Sequence, residues 1–280
     1  MREFKSFFKT VEGNEGNKCH YPTRLDTYGC GCQHDCSYCY AKSLLDFRAL
    51  WNPQDPAVAN IERIRARIAK LPADMPAIRL GGMTDCFQPI ELTHRVTYET
   101  IKALNERHLP YLIVTKSDIV ARDEYTEIMD KDLAHIQITI TCFDDGLYRR
   151  LNYEKAPLPS ARIKAVERLY DLGFDVSVRL SPYIPEFVNY EVLANIRCDK
   201  LLVEFLRVNS WIEKWFDIDF TPYTIKHGGY RHLPLKTKKA LLATISGYKE
   251  ISVCDDEDSA YEFWRDNFNP NPKDCCNLRK

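Results

Sequence analysis

Between Gly29 and Lys42 the chain reads GCGCQHDCSYCYAK and carries Cys32-x3-Cys36-x2-Cys39. Three thiols this close can face one small site with no folded core between them. Thiolates are soft ligands and select zinc, copper(I) or iron–sulfur clusters. A closed structural zinc site takes four ligands, and a lone CxxC pair usually meets a second pair. Here three cysteines stand together without an obvious fourth. A zinc site would need Cys30 or His34 to complete it. A cube-shaped iron–sulfur cluster on three cysteines instead keeps one iron open for chemistry.

Other candidate residues fall at the ends of apolar runs. Gly81 and Gly82 follow the run at 77–80 and let the backbone approach a ligand closely. Thr84 and Asp85 come next, and a carboxylate there can accept from an ammonium. The run at 111–115 ends in Lys116, which can pair with a bound carboxylate. Thr139 and Thr141 bring hydroxyls suited to a ribose. Arg179 and Glu204 sit inside apolar runs, where a charge is rarely buried without a partner. Cys142 ends a strand and can line a site, whereas Cys198 and Cys254 read as core. Cys19, Cys30 and the adjacent Cys275 and Cys276 are either small buried residues or ligands of an auxiliary cluster.

The elements that must position these residues alternate in type. Apolar runs at 77–80, 111–115, 134–141, 175–180 and 200–208 alternate with helical patterns at 55–71, 91–107, 123–133, 160–172 and 190–196. That alternation is the mark of an α/β fold on a parallel sheet. Periodicity alone leaves a barrel and a doubly wound sheet both open. Residues 1–23 read as an irregular N-terminal arm. Residues 209–280 read as a C-terminal extension, with a glycine-hinged basic loop at 226–232, a basic helix at 235–249 and a further strand at 250–254.

With 280 residues the chain can bury a full core. Its 45% hydrophobic content is ordinary for a soluble globular protein, and its net charge of −1 excludes a global field toward nucleic acid or an acidic membrane. Eleven cysteines in a chain of this size are not spaced as a disulfide framework. Reduced thiols, the lack of an apolar leader at the start and the lack of a membrane span give the expectation of a cytoplasmic protein.

The cysteine spacing, with Tyr38 before the third cysteine, resembles the signature of radical S-adenosylmethionine enzymes. Within that superfamily, residues 38–41, Thr84-Asp85 with residues 88–91, residues 115–117 and residues 162–185 resemble the spore photoproduct lyase-like branch. The resemblance covers about residues 24–208. It implies a partial (β/α)6 TIM-like barrel over 24–208, with an α-rich extension over 209–280 covering the barrel opening. It implies a 4Fe-4S cluster on Cys32, Cys36 and Cys39, with S-adenosyl-L-methionine held at the open iron. Reductive cleavage would give methionine and a 5′-deoxyadenosyl radical that takes hydrogen from an organic substrate.

By the same resemblance, Gly81, Gly82, Thr84 and Asp85 meet the methionine end of the cofactor, and Lys116 or Arg179 its carboxylate. Tyr38 and Tyr40 assist hydrogen transfer. An external flavodoxin- or ferredoxin-type donor supplies the electron, and a nucleic acid or nucleotide is the expected substrate class. One departure matters. The lyases place a hydrogen-donating cysteine just before the Ser/Thr-Asp pair, and that slot here holds Met83. A returned hydrogen would have to come from Cys86, Tyr40 or Cys142, and repair of thymine dimers is not expected. The competing reading is a non-catalytic, zinc-stapled module whose basic C-terminal segment contacts nucleic acid.

Overall fold

The computed structural model describes residues 4–9, 19–46 and 48–279. Its main sheet has eight strands: β1 Phe7–Lys9, β2 Thr23–Leu25, β3 Ile78–Leu80, β4 Tyr111–Thr115, β5 Ala134–Thr139, β6 Asp175–Tyr183, β7 Lys200–Phe205 and β8 Glu250–Val253. They lie side by side in chain order. β1 runs antiparallel to β2, and β2 to β8 are all parallel. A doubly wound sheet reverses its strand order at a switch point. This sheet never reverses, so the strands progress one way, as in a barrel.

β5 is buried along its whole length and β6 at every position but one. Such strands read as near-continuous apolar runs because both faces are covered, by helices outside and by packed side chains within. The expectation of a partial barrel with a C-terminal extension therefore holds. The seventh parallel strand, β8, comes from within residues 209–280 and pairs with β7. That segment adds helices Ser210–Trp215, Leu235–Leu242 and Asp258–Asn267. The expected irregular arm contains a strand, β1, and its residues 10–18 lie outside the described residues.

Several element boundaries differ from expectation, each for a local reason. The helix expected from residue 55 starts at Ile61. Before it, Ala57–Val58 pairs with Tyr28–Gly29, and the Asn60 side chain caps the helix by accepting from the Arg63 amide at 3.0 Å. The single helix expected over 91–107 breaks at Arg95, which adopts φ 54°. Helices Glu91–His94 and Val96–Glu106 result. The fully buried Glu91 carboxylate bridges them, accepting from the Thr97 and Tyr98 amides at 2.9 Å. The helix expected over 123–133 covers only Asp123–Thr126. The basic loop is a hairpin, Ile225–His227 with Tyr230–His232, turned by Gly228 and Gly229 at φ 57° and 82°. The basic helix ends at Leu242, and its Lys238 points inward to Asp255 at 2.7 Å.

Candidate active site

The C-terminal ends of β3 to β8 open onto a cavity of about 240 Å³. In a parallel β/α barrel this is the face that carries active sites. Cys32, Cys36 and Cys39 line it together. They sit in the loop between the short strand Tyr28–Gly29 and the helix Tyr40–Asp46.

Burial, with the Asp85 carboxylate nearby, pushes the Cys32 thiol up to about 12. Burial, with Glu154 beside it, pushes Cys36 well above its ordinary value. The Cys36 sulfur lies 3.4 Å from the Glu154 carboxylate. Free of metal, these thiols hold their protons, and ligation would release them. A tetrahedral zinc thiolate needs sulfurs about 3.8 Å apart, from a Zn–S length of about 2.3 Å. Among the described residues, the one group of three or more His, Cys, Asp or Glu ligand atoms within 4.8 Å of one another is His232, Asp255 and Asp256. The three loop sulfurs are not such a group. Of the two fourth ligands that a zinc site could use, only His34 lines the cavity. His34 Nε2 lies 3.3 Å from Asp85, and Cys30 is not among the lining residues.

The glycine loop after β3 is fixed from two sides. Gly81 has φ 81°, and a Cβ there would meet the Val114 carbonyl oxygen at 2.6 Å, so only glycine fits. The Asp26 carboxylate accepts from the Gly82 amide at 2.7 Å and the Met83 amide at 3.0 Å. Burial outweighs these bonds and raises Asp26 to about 6. From the other side Tyr40 donates its hydroxyl to the Gly82 carbonyl at 2.6 Å. Thr84 donates to the Tyr28 carbonyl at 2.5 Å, which ties the loop to the start of the cysteine segment.

Asp85 lines the cavity, but its carboxylate is not open to a ligand ammonium as the sequence suggests. It accepts from the Phe87 amide at 2.8 Å, from Thr115 Oγ1 at 2.7 Å and from the Lys116 amide at 2.7 Å. Burial works to raise it, yet His34 and the bonds from Thr115 and Lys116 lower it to about 2. Asp85 thus joins three segments: the cysteine loop, the glycine loop and the end of β4. The Lys116 ammonium stands 5.5 Å from the Tyr38 ring centre.

Arg179 finds the carboxylate partner that its position implies. That partner is Glu204 on the neighbouring strand. Arg179 also donates to Gln137 at 2.6 Å, and Ser181 donates to Glu204 at 2.7 Å. Arg179, Glu204 and Thr139 all line the cavity.

Three expected residues are not brought to it. Cys86 is 1% exposed and packs in the core, with its carbonyl accepting from Thr97 Oγ1 at 2.6 Å. The turn fixed by Asp85 sends the residue after it inward. Thr141 bonds the Tyr153 hydroxyl at 2.8 Å. Cys142 is 1% exposed and donates to the Asp144 carbonyl at 3.5 Å. β5 ends at Thr139, so these two lie beyond the strand and follow the turn away.

Two acidic residues that hold the site, Glu154 and Asp26, are not among the candidates named from the sequence. Glu154 is buried and pairs with the buried Arg162 at 2.5 Å. Tyr38 donates its hydroxyl to the same carboxylate, while its ring packs 5.6 Å from that of Phe216. Glu154 lies 118 residues beyond Cys36, and nothing local in the sequence signals that meeting. Asp26 had a signal: it is an acidic residue placed directly after the apolar end of β2.

A family model described as the Radical SAM superfamily matches residues 27–194. An uncharacterized protein of Methanocaldococcus jannaschii is 28% identical over 170 residues, 58% of this chain and 61% of that one. An uncharacterized protein of Mycobacterium tuberculosis is 25% identical over 167 residues, 57% of this chain and 49% of that one. The matches thus span about half to three fifths of the length of these relatives. Among solved structures, spore photoproduct lyase complexed with dinucleoside spore photoproduct superposes with a TM-score of 0.62 at 15% identity. The superposition covers 85% of this chain and 74% of the lyase. Streptococcus suis SuiB superposes with a TM-score of 0.53 at 12% identity, over 86% of this chain and 53% of SuiB. No helix among the described residues is long and apolar enough to cross a membrane.

Proposed function

The chain belongs to the radical SAM superfamily, and from that premise we propose that it is an enzyme that cleaves S-adenosylmethionine reductively to abstract hydrogen from a nucleotide or nucleic-acid substrate. One observation carries the reading: Cys32, Cys36 and Cys39 meet at the cavity into which the C-terminal ends of the parallel strands open. They would hold a 4Fe-4S cluster. Loaded with cluster and cofactor, the site would supply one-electron cleavage of a sulfonium, releasing methionine and a carbon radical able to take a hydrogen atom.

The chain's own residues bind, orient and exclude water. The Gly82 carbonyl accepts one bond from Tyr40 and keeps a second lone pair for a ligand ammonium. Lys116, rather than the Glu204-paired Arg179, suits the cofactor carboxylate. Thr139 reaches the cavity and suits a ribose. Asp85 and Asp26 act as positioning residues. The barrel would span 24–208, and residues 209–280 would close its opening. Cys254, Asp255 and Tyr261 support that, because they line the cavity from the closing segment.

The substrate class rests on the closer fold likeness to a lyase that binds a dinucleoside than to SuiB, which is solved with a precursor peptide. Thymine-dimer repair is not part of the proposal. Met83 has no S–H to give, and Cys86 is buried away from the cavity. The test is to reconstitute the protein anaerobically, reduce it with dithionite and add S-adenosylmethionine. Methionine and 5′-deoxyadenosine should appear in equal amounts, from a protein that is brown. A colourless zinc protein with no cleavage would overturn the reading in favour of a binding module.

A further inference from the structure

Arg79 puts a guanidinium into the cavity wall that nothing in the wall answers. It is the middle residue of β3, between the fully buried Ile78 and Leu80. Side chains alternate along a strand, so those two face one way and Arg79 the other, where it lines the cavity. The residue is half-buried, and its Nε is buried with no hydrogen-bond partner among the described residues.

Four carboxylates line the same cavity, and each already has its partners. Glu204 pairs with Arg179 and accepts from Ser181 at 2.7 Å. Asp256 pairs with Arg207 at 2.8 Å, and Asp255 with the buried Lys238 at 2.7 Å. Asp85 is held by Thr115 Oγ1 and the Lys116 amide. A charge taken out of water without a counter-charge is costly. A surface arginine escapes that cost by keeping its guanidinium in water, but the Nε of Arg79 is out of reach of water.

Two neighbours strengthen the case for an anion. Arg24 stands in register with Arg79 on β2, so both side chains leave the sheet on one face, about 4.8 Å apart at the backbone. Both line the cavity, and an anion at Arg79 is within reach of the second guanidinium. His20, just before β2, lines the cavity too, with Nδ1 buried and lacking a hydrogen-bond partner among the described residues. Arg79 precedes Gly81 by two residues, which sets it about 7 Å below the glycine loop and apart from the residues assigned to the cofactor.

Guanidinium forks match the oxygens of carboxylates and phosphates. We propose that Arg79, with Arg24 beside it, binds an acidic group of the substrate at the inner wall of the barrel. That this acid is a phosphate rests on the nucleotide reading of the substrate.

The test is titration calorimetry on the full chain, reconstituted anaerobically. The probes are inorganic phosphate, acetate, the four ribonucleoside 5′-monophosphates and the matching nucleosides. Phosphate should bind, and at least one monophosphate should bind roughly tenfold tighter than its nucleoside. Arg79→Met keeps the length of the stem and removes the charge. It should weaken phosphate roughly tenfold or more and erase the preference for monophosphate over nucleoside. Arg79→Lys should restore part of both. Without added anion, the urea midpoint of Arg79→Met should equal or exceed the native one, because the charge removed has no partner in the chain. Phosphate should then raise the native midpoint more than the variant's, since general salt effects move both alike.

A lower midpoint for anion-free Arg79→Met would mean that Arg79 serves the fold, and would overturn the proposal. Phosphate affinity unchanged by the substitution would overturn it too. Acetate binding tighter than phosphate, lost in Arg79→Met, would keep the acid site and reject the phosphate. Weaker S-adenosylmethionine binding with phosphate binding intact would give Arg79 to the cofactor instead. None of these readouts needs cofactor cleavage, so failure of the anion site and failure of the radical reaction are told apart.

Discussion

The Asp85 network decides between two roles for one carboxylate, and the two roles predict different measurements. If Asp85 faced the cofactor, removing it would weaken binding and leave the fold alone. The structure instead gives it three close donors and a histidine at 3.3 Å. Its side chain is 9% exposed, so solvent screens these bonds little. The drop from 3.8 to about 2 corresponds to about 2.4 kcal/mol, at about 1.36 kcal/mol per pH unit. Because the folded value lies below the unfolded one, this stability is present above about pH 4. It is lost as the pH falls toward 2.

Asp85→Ala also strands the Lys116 amide, the Phe87 amide and the Thr115 hydroxyl, each costing about 1–3 kcal/mol when buried without a partner. The terms overlap, so the expected loss is about 3–5 kcal/mol. Asp85→Asn keeps one oxygen and should lose about 2–3 kcal/mol by the same principle. It should also flatten the acid limb of the stability profile. The assay is anaerobic urea denaturation of the metal-free chain, checked for an unchanged m-value. A midpoint equal to that of the native chain, together with a tenfold or greater loss of S-adenosylmethionine affinity, would refute the positioning role.

Three further outcomes are expected. Alanine at Cys32, Cys36 or Cys39 should abolish cofactor cleavage and the visible absorbance, while Cys30→Ala keeps both; absorption spectroscopy and product chromatography check this. Glu154→Gln breaks a buried ion pair and leaves Arg162 short of its counter-charge, a loss of about 3–5 kcal/mol readable by chemical denaturation. Lys116→Met should raise the S-adenosylmethionine dissociation constant roughly 10- to 100-fold, the worth of about 1.5–3 kcal/mol for a hydrogen bond to a charged group. The visible absorbance should be unchanged, and equilibrium dialysis against labelled cofactor measures the shift.

What the sequence makes legible follows from how local each signal is. The Cys32–Cys39 spacing lies within eight residues, so the thiols need no distant element to meet. The continuous apolar runs that become β4 to β7 declare a doubly covered sheet. Arg179 and Glu204 can be inferred to need partners because each interrupts such a run, and the sheet makes them each other's partner. The helix breaks at Arg95 and before Ile61 were not legible. Their causes are a carboxylate buried from within, at Glu91, and a side-chain cap at Asn60. Periodicity registers neither.

The residues that hold the site together are mostly illegible for a different reason. Glu154 reaches Tyr38 across 116 residues, and Asp26 reaches Gly82 across 56. A carboxylate in a loop looks the same in sequence whether water or a buried tyrosine answers it. Only packing settles which, because only packing sets the desolvation that raises Asp26 and the counter-charges that lower Asp85. The same limit explains Cys254. Its apolar neighbours read as core, but β8 ends one residue earlier, and Cys254 lines the cavity instead. A strand end is where burial on both faces stops. The residue just past it is the position at which composition says least and the fold decides most.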